Sequence, residues 1–105
     1  MLVPNLHRQR LSIELITNRN LYDPKFIEEL LEGFLSDLCA ILDMTPSIGP
    51  IFKHVPEGTS VYMGWLESDI QIHSWFEHKF ISIDLYSYQP FMVSNALNVV
   101  EFWFI

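Results

Sequence analysis

Glu67, Ser68, His73, Trp75 and Glu77 fall within one short run, Glu67-Ser68-Asp69-Ile70-Gln71-Ile72-His73-Ser74-Trp75-Phe76-Glu77. Another serine, Ser60, precedes Ser68 in Gly58-Thr59-Ser60. Hydroxyl, imidazole and carboxylate groups so spaced are the side chains of nucleophilic and proton-transfer chemistry. None is informative alone. A Glu-Ser dipeptide carries no signal, and a lone histidine is more often structural than catalytic. Their co-occurrence is what points to a site. Ser68 and His73 lie roughly 16 Å apart along a straight strand and have opposite parity. They meet only if Ser68 lies on a turn or bulge, or if cross-strand geometry brings them together. Both options stay open at this point.

The elements that must position these residues can be read from periodicity. Arg10 to Ile16 alternate, with Leu11, Ile13 and Leu15 on one face, as in a strand. Asp23-Pro24 reads as a helix start, with Asp at the N-cap and Pro at the first helical position. Apolar residues then follow at 27, 30, 31, 34, 35, 38, 41 and 42, a helical stripe. Glu28, Glu29, Glu32 and Asp37 lie off it and read as a solvated face. Thr45-Pro46 ends the helix. Residues 46–58 are punctuated by Pro and Gly and read as an irregular edge strand around Ile51–Val55. Strands follow at about Ser60–Leu66, Asp69–Trp75 and Lys79–Ser87. Pro90 opens a short helical segment reaching about Asn98. The β-formers of Val99–Ile105 read as a final strand. This order suggests one domain over residues 1–105, an α+β two-layer sandwich with helices on one face of an antiparallel sheet.

A hairpin of Asp69–Trp75 with Lys79–Ser87, turning near Glu77-His78, sorts core from chemistry. Ile70, Ile72 and Ser74 then oppose Leu85, Ile83 and Ile81 on a helix-facing side. Asp69, Gln71, His73 and Trp75 share the other face with Ser82, Asp84, Tyr86 and Tyr88. So aromatic and polar a face suits a ligand or a second copy of the chain, and a homodimer is expected through it.

Composition narrows the classes. Half the residues are hydrophobic, which permits a packed core, and the formal charge is −7. So acidic a chain lacks the basic face a nucleic-acid binder needs, and it does not suit an anionic membrane surface. A cationic small molecule is electrostatically welcome. The single cysteine, Cys39, excludes an intrachain disulfide and a cysteine-rich metal site, and it reads as a small buried hydrophobe. No metal site is expected. No apolar run reaches the roughly 18 residues of a membrane span. Residues 1–5 lack the charged and apolar regions of a signal peptide, so a cytoplasmic protein is expected.

Gly58-x-Ser60, Glu67-Ser68, Ile72-His73-x-Trp75, Glu77 and Ile83-Asp84-Leu85 together resemble, without a gap, the core of the prokaryotic, pyruvoyl-dependent S-adenosylmethionine decarboxylases. A looser likeness extends to Arg10-Leu11 through Glu14, to Pro56-x-Gly58 and to Val99-Val100-Glu101. The resemblance implies that a serine hydroxyl attacks the preceding carbonyl, turns the amide into an ester and leads to chain cleavage. The new N-terminus becomes a pyruvoyl group, which captures the substrate amine and serves as an electron sink for decarboxylation. On this likeness Ser68 is the pyruvoyl precursor and Glu67 the new C-terminus. His73 and Ser60 assist processing. Glu77 holds the substrate ribose beside Trp75, and His54 takes the place of an aromatic that stacks on adenine. The family's catalytic cysteine is replaced, since Ser87-Tyr88-Gln89 stands at its Thr-Cys-Gly motif, leaving the Tyr88 hydroxyl as the available proton donor. Asp69 replaces a usual His and Phe76 a Pro. The expected function is S-adenosylmethionine decarboxylation feeding polyamine (spermidine) synthesis. The alternative is a non-processing homologue that binds a ligand or partner. Self-cleavage discriminates the two.

Overall fold

The computed structural model describes residues 8–105. The segment read for a signal peptide, residues 1–5, lies outside the described residues. The order is β1 (Gln9–Ile16), α1 (Pro24–Leu42), β2 (Pro46–Val55), β3 (Gly58–Trp65), β4 (Ser68–Trp75), β5 (Phe80–Ser87) and α2 (Val93–Phe104). The five strands form one antiparallel sheet in the order β1-β5-β4-β3-β2. Both helices cover one face, the α+β two-layer arrangement that the pattern of elements implies.

Helix α1 starts where its capping chemistry dictates. The Asp23 carboxylate accepts the backbone N–H groups of Lys25 and Phe26 at 3.0 and 3.4 Å, and Pro24 occupies the first turn. Ile27, Leu30, Leu31, Phe34, Leu35 and Leu38 are buried against the sheet and α2, while Ile41, at the end of the expected stripe, is exposed. The helix stops at Asp43, whose left-handed backbone (φ 56°) closes the C-terminus.

The β4–β5 hairpin has the expected register. Ile70 faces Leu85, Ile72 faces Ile83 and Ser74 faces Ile81, all buried under the helices. Among the described residues no helix covers the opposite face. The edge strand β2 is longer than its apolar core implied, because Pro46–Pro50 also pairs with β3. It does so through two register shifts, one beside Gly49 at φ 87°.

The expected terminal strand, Val99–Ile105, does not form; Val99–Phe104 belong to α2 and Ile105 is its C-cap. Their β-forming side chains are overridden by burial. Ala96, Val99, Val100 and Phe104 recur at helical spacing and are buried. Phe104 packs on Phe34 with ring centroids 4.9 Å apart, and burying each ring contributes about 1.5–3 kcal/mol. The carbonyls at the helix C-terminus are also satisfied. The Thr17 hydroxyl donates to the Phe104 carbonyl at 2.6 Å and Arg19 Nε donates to the Trp103 carbonyl at 2.8 Å.

Candidate active site

The β3–β4 hairpin carries most of the chemistry. Its turn is Leu66-Glu67, and Trp65 and Ser68 pair across it. Glu67 takes a left-handed backbone (φ 62°), which costs a non-glycine residue about 1 kcal/mol or more. Ser68 follows at once. It is only 9% exposed, and its Oγ accepts the backbone N–H of Tyr88 at 3.0 Å. The peptide bond named by the Glu-Ser motif therefore joins a strained residue to a buried, oriented hydroxyl. Tyr88 lies just beyond β5, and its side chain is exposed.

Ser60 and His73 are cross-strand partners, and Ser60 Oγ lies 2.7 Å from His73 Nδ1. They sit on the uncovered face, beside Trp75, whose ring is 6.1 Å from the imidazole and 5.3 Å from Phe80. Trp75 and Glu77 line one pocket of about 280 Å³ with Pro56, Glu57 and His78. Ser60 and His73 border a second hollow of about 210 Å³, next to Ile51 and Tyr62. Elsewhere on this face Tyr86 is covered by the Arg10 guanidinium, 5.0 Å from the ring centroid, and Asp84 accepts the Ser12 hydroxyl at 2.7 Å.

The fold thus separates the candidate residues into two groups. Glu67, Ser68 and Tyr88 stand at the turn end of the hairpin. Ser60, His73, Trp75 and Glu77 stand at its open end. Neither a bulge nor cross-strand pairing unites Ser68 with His73, because Ser68 pairs with Trp65 and His73 with Ser60. Within one chain they remain roughly 16 Å apart along β4, on opposite faces.

His54 belongs to neither group. It pairs with Thr59, whose side chain is buried, and so faces the helical layer. Its Nδ1 meets Thr59 Oγ1 at 2.9 Å and its Nε2 contacts the Glu28 carboxylate. Glu28, read as part of a solvated face, is instead a link from α1 to the sheet. That contact spans distant segments, and no local pattern signals it. Cys39 is buried as expected. Its Sγ accepts the Trp65 indole N–H at 3.2 Å, and burial pushes the thiol pKa up against the lowering effect of that bond. The Tyr88 backbone N–H is the contributor that side-chain reasoning could not find, because every residue but proline carries that donor. Among the described residues no cluster of three His, Cys, Asp or Glu side chains could hold a metal ion.

Comparison with known proteins agrees with this architecture. The family profile for S-adenosylmethionine decarboxylase matches residues 10–104. The crystal structure of the adenosylmethionine decarboxylase from Aquifex aeolicus VF5 superposes with a TM-score of 0.60 at 20% identity, over 90% of this chain and 74% of that one. No curated protein sequence matches. With the profile extending from β1 through α2, the chain belongs to the S-adenosylmethionine decarboxylase family.

Proposed function

We propose that this chain is a pyruvoyl-dependent S-adenosylmethionine decarboxylase of polyamine (spermidine) synthesis, acting in the cytoplasm after cutting itself between Glu67 and Ser68. The observation that carries the reading is the geometry of that bond: Glu67 at φ 62°, followed by a buried Ser68 whose Oγ is held by the Tyr88 N–H. The Ser68 hydroxyl attacks the Glu67 carbonyl carbon. The peptide C–N bond breaks, the hydroxyl proton ends on the Ser68 nitrogen, and an ester replaces the amide. Loss of the Ser68 Cα proton expels the Glu67 carboxylate. One water then hydrolyses the remaining enamine, releasing ammonia and leaving the pyruvoyl end. The N–H of Tyr88 holds Oγ in place for attack and stabilises the negative charge that develops on Oγ when the Glu67 carboxylate leaves.

These residues fit the precursor of a pyruvoyl group, whose carbonyl supplies an electron sink for loss of the substrate carboxylate. The remaining roles follow the two clusters. Ser60 and His73 form the proton-handling pair. Trp75 and Glu77 bind the nucleoside part of the substrate, Glu77 through the ribose hydroxyls. His54 faces the helical layer, contacts Glu28 and is left out of this assignment. Tyr88 supplies the proton donor in place of the family's cysteine. The acidic chain favours a sulfonium cation.

Because Ser68 and His73 stand apart in one chain, the reading assigns their meeting to a homodimer formed through the uncovered sheet face. In a twofold interface each copy offers its Ser60–His73 pair to the Glu67–Ser68 peptide bond at the other's β3–β4 turn, approached from the uncovered side, while Ser68 Oγ stays on the helical side. The test is complementation. Neither Ser68→Ala nor His73→Ala cleaves alone, while co-folded mixtures cleave the His73→Ala chain. Efficient cleavage of His73→Ala alone would end the assignment to His73, and failure of the mixture would end the two-copy arrangement.

A further inference from the structure

The segment after β5 is held to Ser68 from an unexpected place, the first residue of β1. Gln9 pairs with Ser87 across the β1–β5 ladder, but its side chain reaches on to Phe91. Its Nε2 donates to the Phe91 carbonyl at 3.1 Å, and its Oε1 accepts the Phe91 N–H at 3.0 Å. A primary amide that satisfies both polar groups of one residue fixes that residue's position and orientation together. The second fastening is local. The fully buried Ser87 hydroxyl accepts the Gln89 N–H at 3.1 Å and contacts the Gln89 carbonyl. Tyr88 lies inside the second fastening, just ahead of the first, and its N–H points at Ser68 Oγ.

We propose that Gln9 is a positioning residue for Ser68: by clamping Phe91 it fixes the 88–91 segment, so that the Tyr88 N–H is aimed at the reacting hydroxyl. The proposal rests on the self-cleavage reading. Gln9 does not touch the scissile bond. It acts through Phe91 and Tyr88, and a hydrogen bond of 3.0 Å weakens steeply when its donor swings away. Stabilisation of a charge developing on Oγ requires the donor to be in place beforehand, which is what a clamp provides and a free loop does not. Nothing in the identity of Gln9 announces the role, because its partner is a backbone amide far along the chain.

The experiment compares Gln9→Ala with wild type by following fragment formation after synthesis of the full chain. Leu15→Ala, at the far end of β1, is the control for lost stability. Gln9→Ala is expected to slow cleavage about tenfold or more, while Leu15→Ala, assayed below its melting temperature, cleaves at the wild-type rate. Deuterium exchange of the Tyr88 amide is read in parallel on uncut chains. It is expected to accelerate in Gln9→Ala and stay unchanged in Leu15→Ala. Equal cleavage by Gln9→Ala and wild type overturns the proposal, and so does equal slowing by the two variants. A wild-type chain that never cleaves removes the self-cleavage reading instead. The clamp is then judged by exchange alone, and unchanged Tyr88 protection in Gln9→Ala overturns it.

Discussion

Gly58→Ala is expected to damage the site-bearing hairpin out of proportion to the single methyl it adds. Gly58 opens β3 opposite Trp75. A methyl group there would overlap the Ser74 carbonyl oxygen, with the carbonyl carbon 2.7 Å away and Trp75 Cα at 3.3 Å. These obstacles are backbone, so no side chain can swing aside and the strands must part. Overpacking of this kind costs about 1–3 kcal/mol. Parting the strands also strains two buried hydrogen bonds, Thr59 N–H to Ser74 Oγ (3.2 Å) and Ser74 Oγ to the Thr59 carbonyl (2.9 Å). Each contributes about 1 kcal/mol, so a total near 3 kcal/mol is expected. For a domain of this size that lowers Tm by roughly 12 °C or more. The assay is a thermal melt of uncut protein, in a Ser68→Ala background, against Gly64→Ala. A methyl at Gly64 meets Ile48 Cβ and the Tyr62 hydroxyl oxygen only at 3.3 Å, and that variant is expected within about 1 kcal/mol of its parent. Equal melting temperatures for the two alanine variants would refute the close approach on which the Ser60–His73 register depends.

Three further outcomes follow from particular contacts. Ser60→Ala removes the hydroxyl 2.7 Å from His73 Nδ1 and is expected to slow fragment formation about tenfold, while stability changes by about 1 kcal/mol or less; unchanged cleavage kinetics would remove Ser60 from the machinery. Phe104→Ala, in the helix that replaces the expected strand, should cost about 3–5 kcal/mol in urea titrations, and a loss under about 1 kcal/mol would contradict its packing on Phe34. Burial raises the Cys39 thiol, so the folded chain holds that proton to higher pH than the unfolded chain does. Stability from this source is complete below the ordinary thiol range and declines as pH rises through it. Iodoacetamide at pH 8 should accordingly label the folded protein at least about tenfold more slowly than the urea-unfolded protein, and equal rates would show an accessible thiolate.

The sheet was legible where one short-range rule dominates. Alternation set the β4–β5 register because a one-residue slip would turn Ile70, Ile72, Ile81 and Ile83 to solvent. Asp23-Pro24 marked the start of α1 through local capping chemistry. Only the first half of the C-terminal helix, up to about Asn98, was legible; Val99, Val100, Phe102 and Trp103 favour strand locally, and only contact with α1 decides between the two. The site was legible in its residues and not in its arrangement. Spacing alone cannot tell whether Ser68 and His73 meet within a chain or between chains. The His54–Glu28 contact and the Tyr88 N–H depend on chain crossings that no motif encodes.

The central claim is that the bond between Glu67 and Ser68 breaks itself, and the intact mass of freshly purified protein under denaturing conditions tests it most directly. The account predicts two fragments, one ending in Glu67 and the other beginning with a pyruvoyl group at position 68, and a Ser68→Ala variant that stays whole. A single wild-type species near 12.4 kDa that never divides would contradict it, leaving Ser68 a serine and the chain a binding module on the decarboxylase fold.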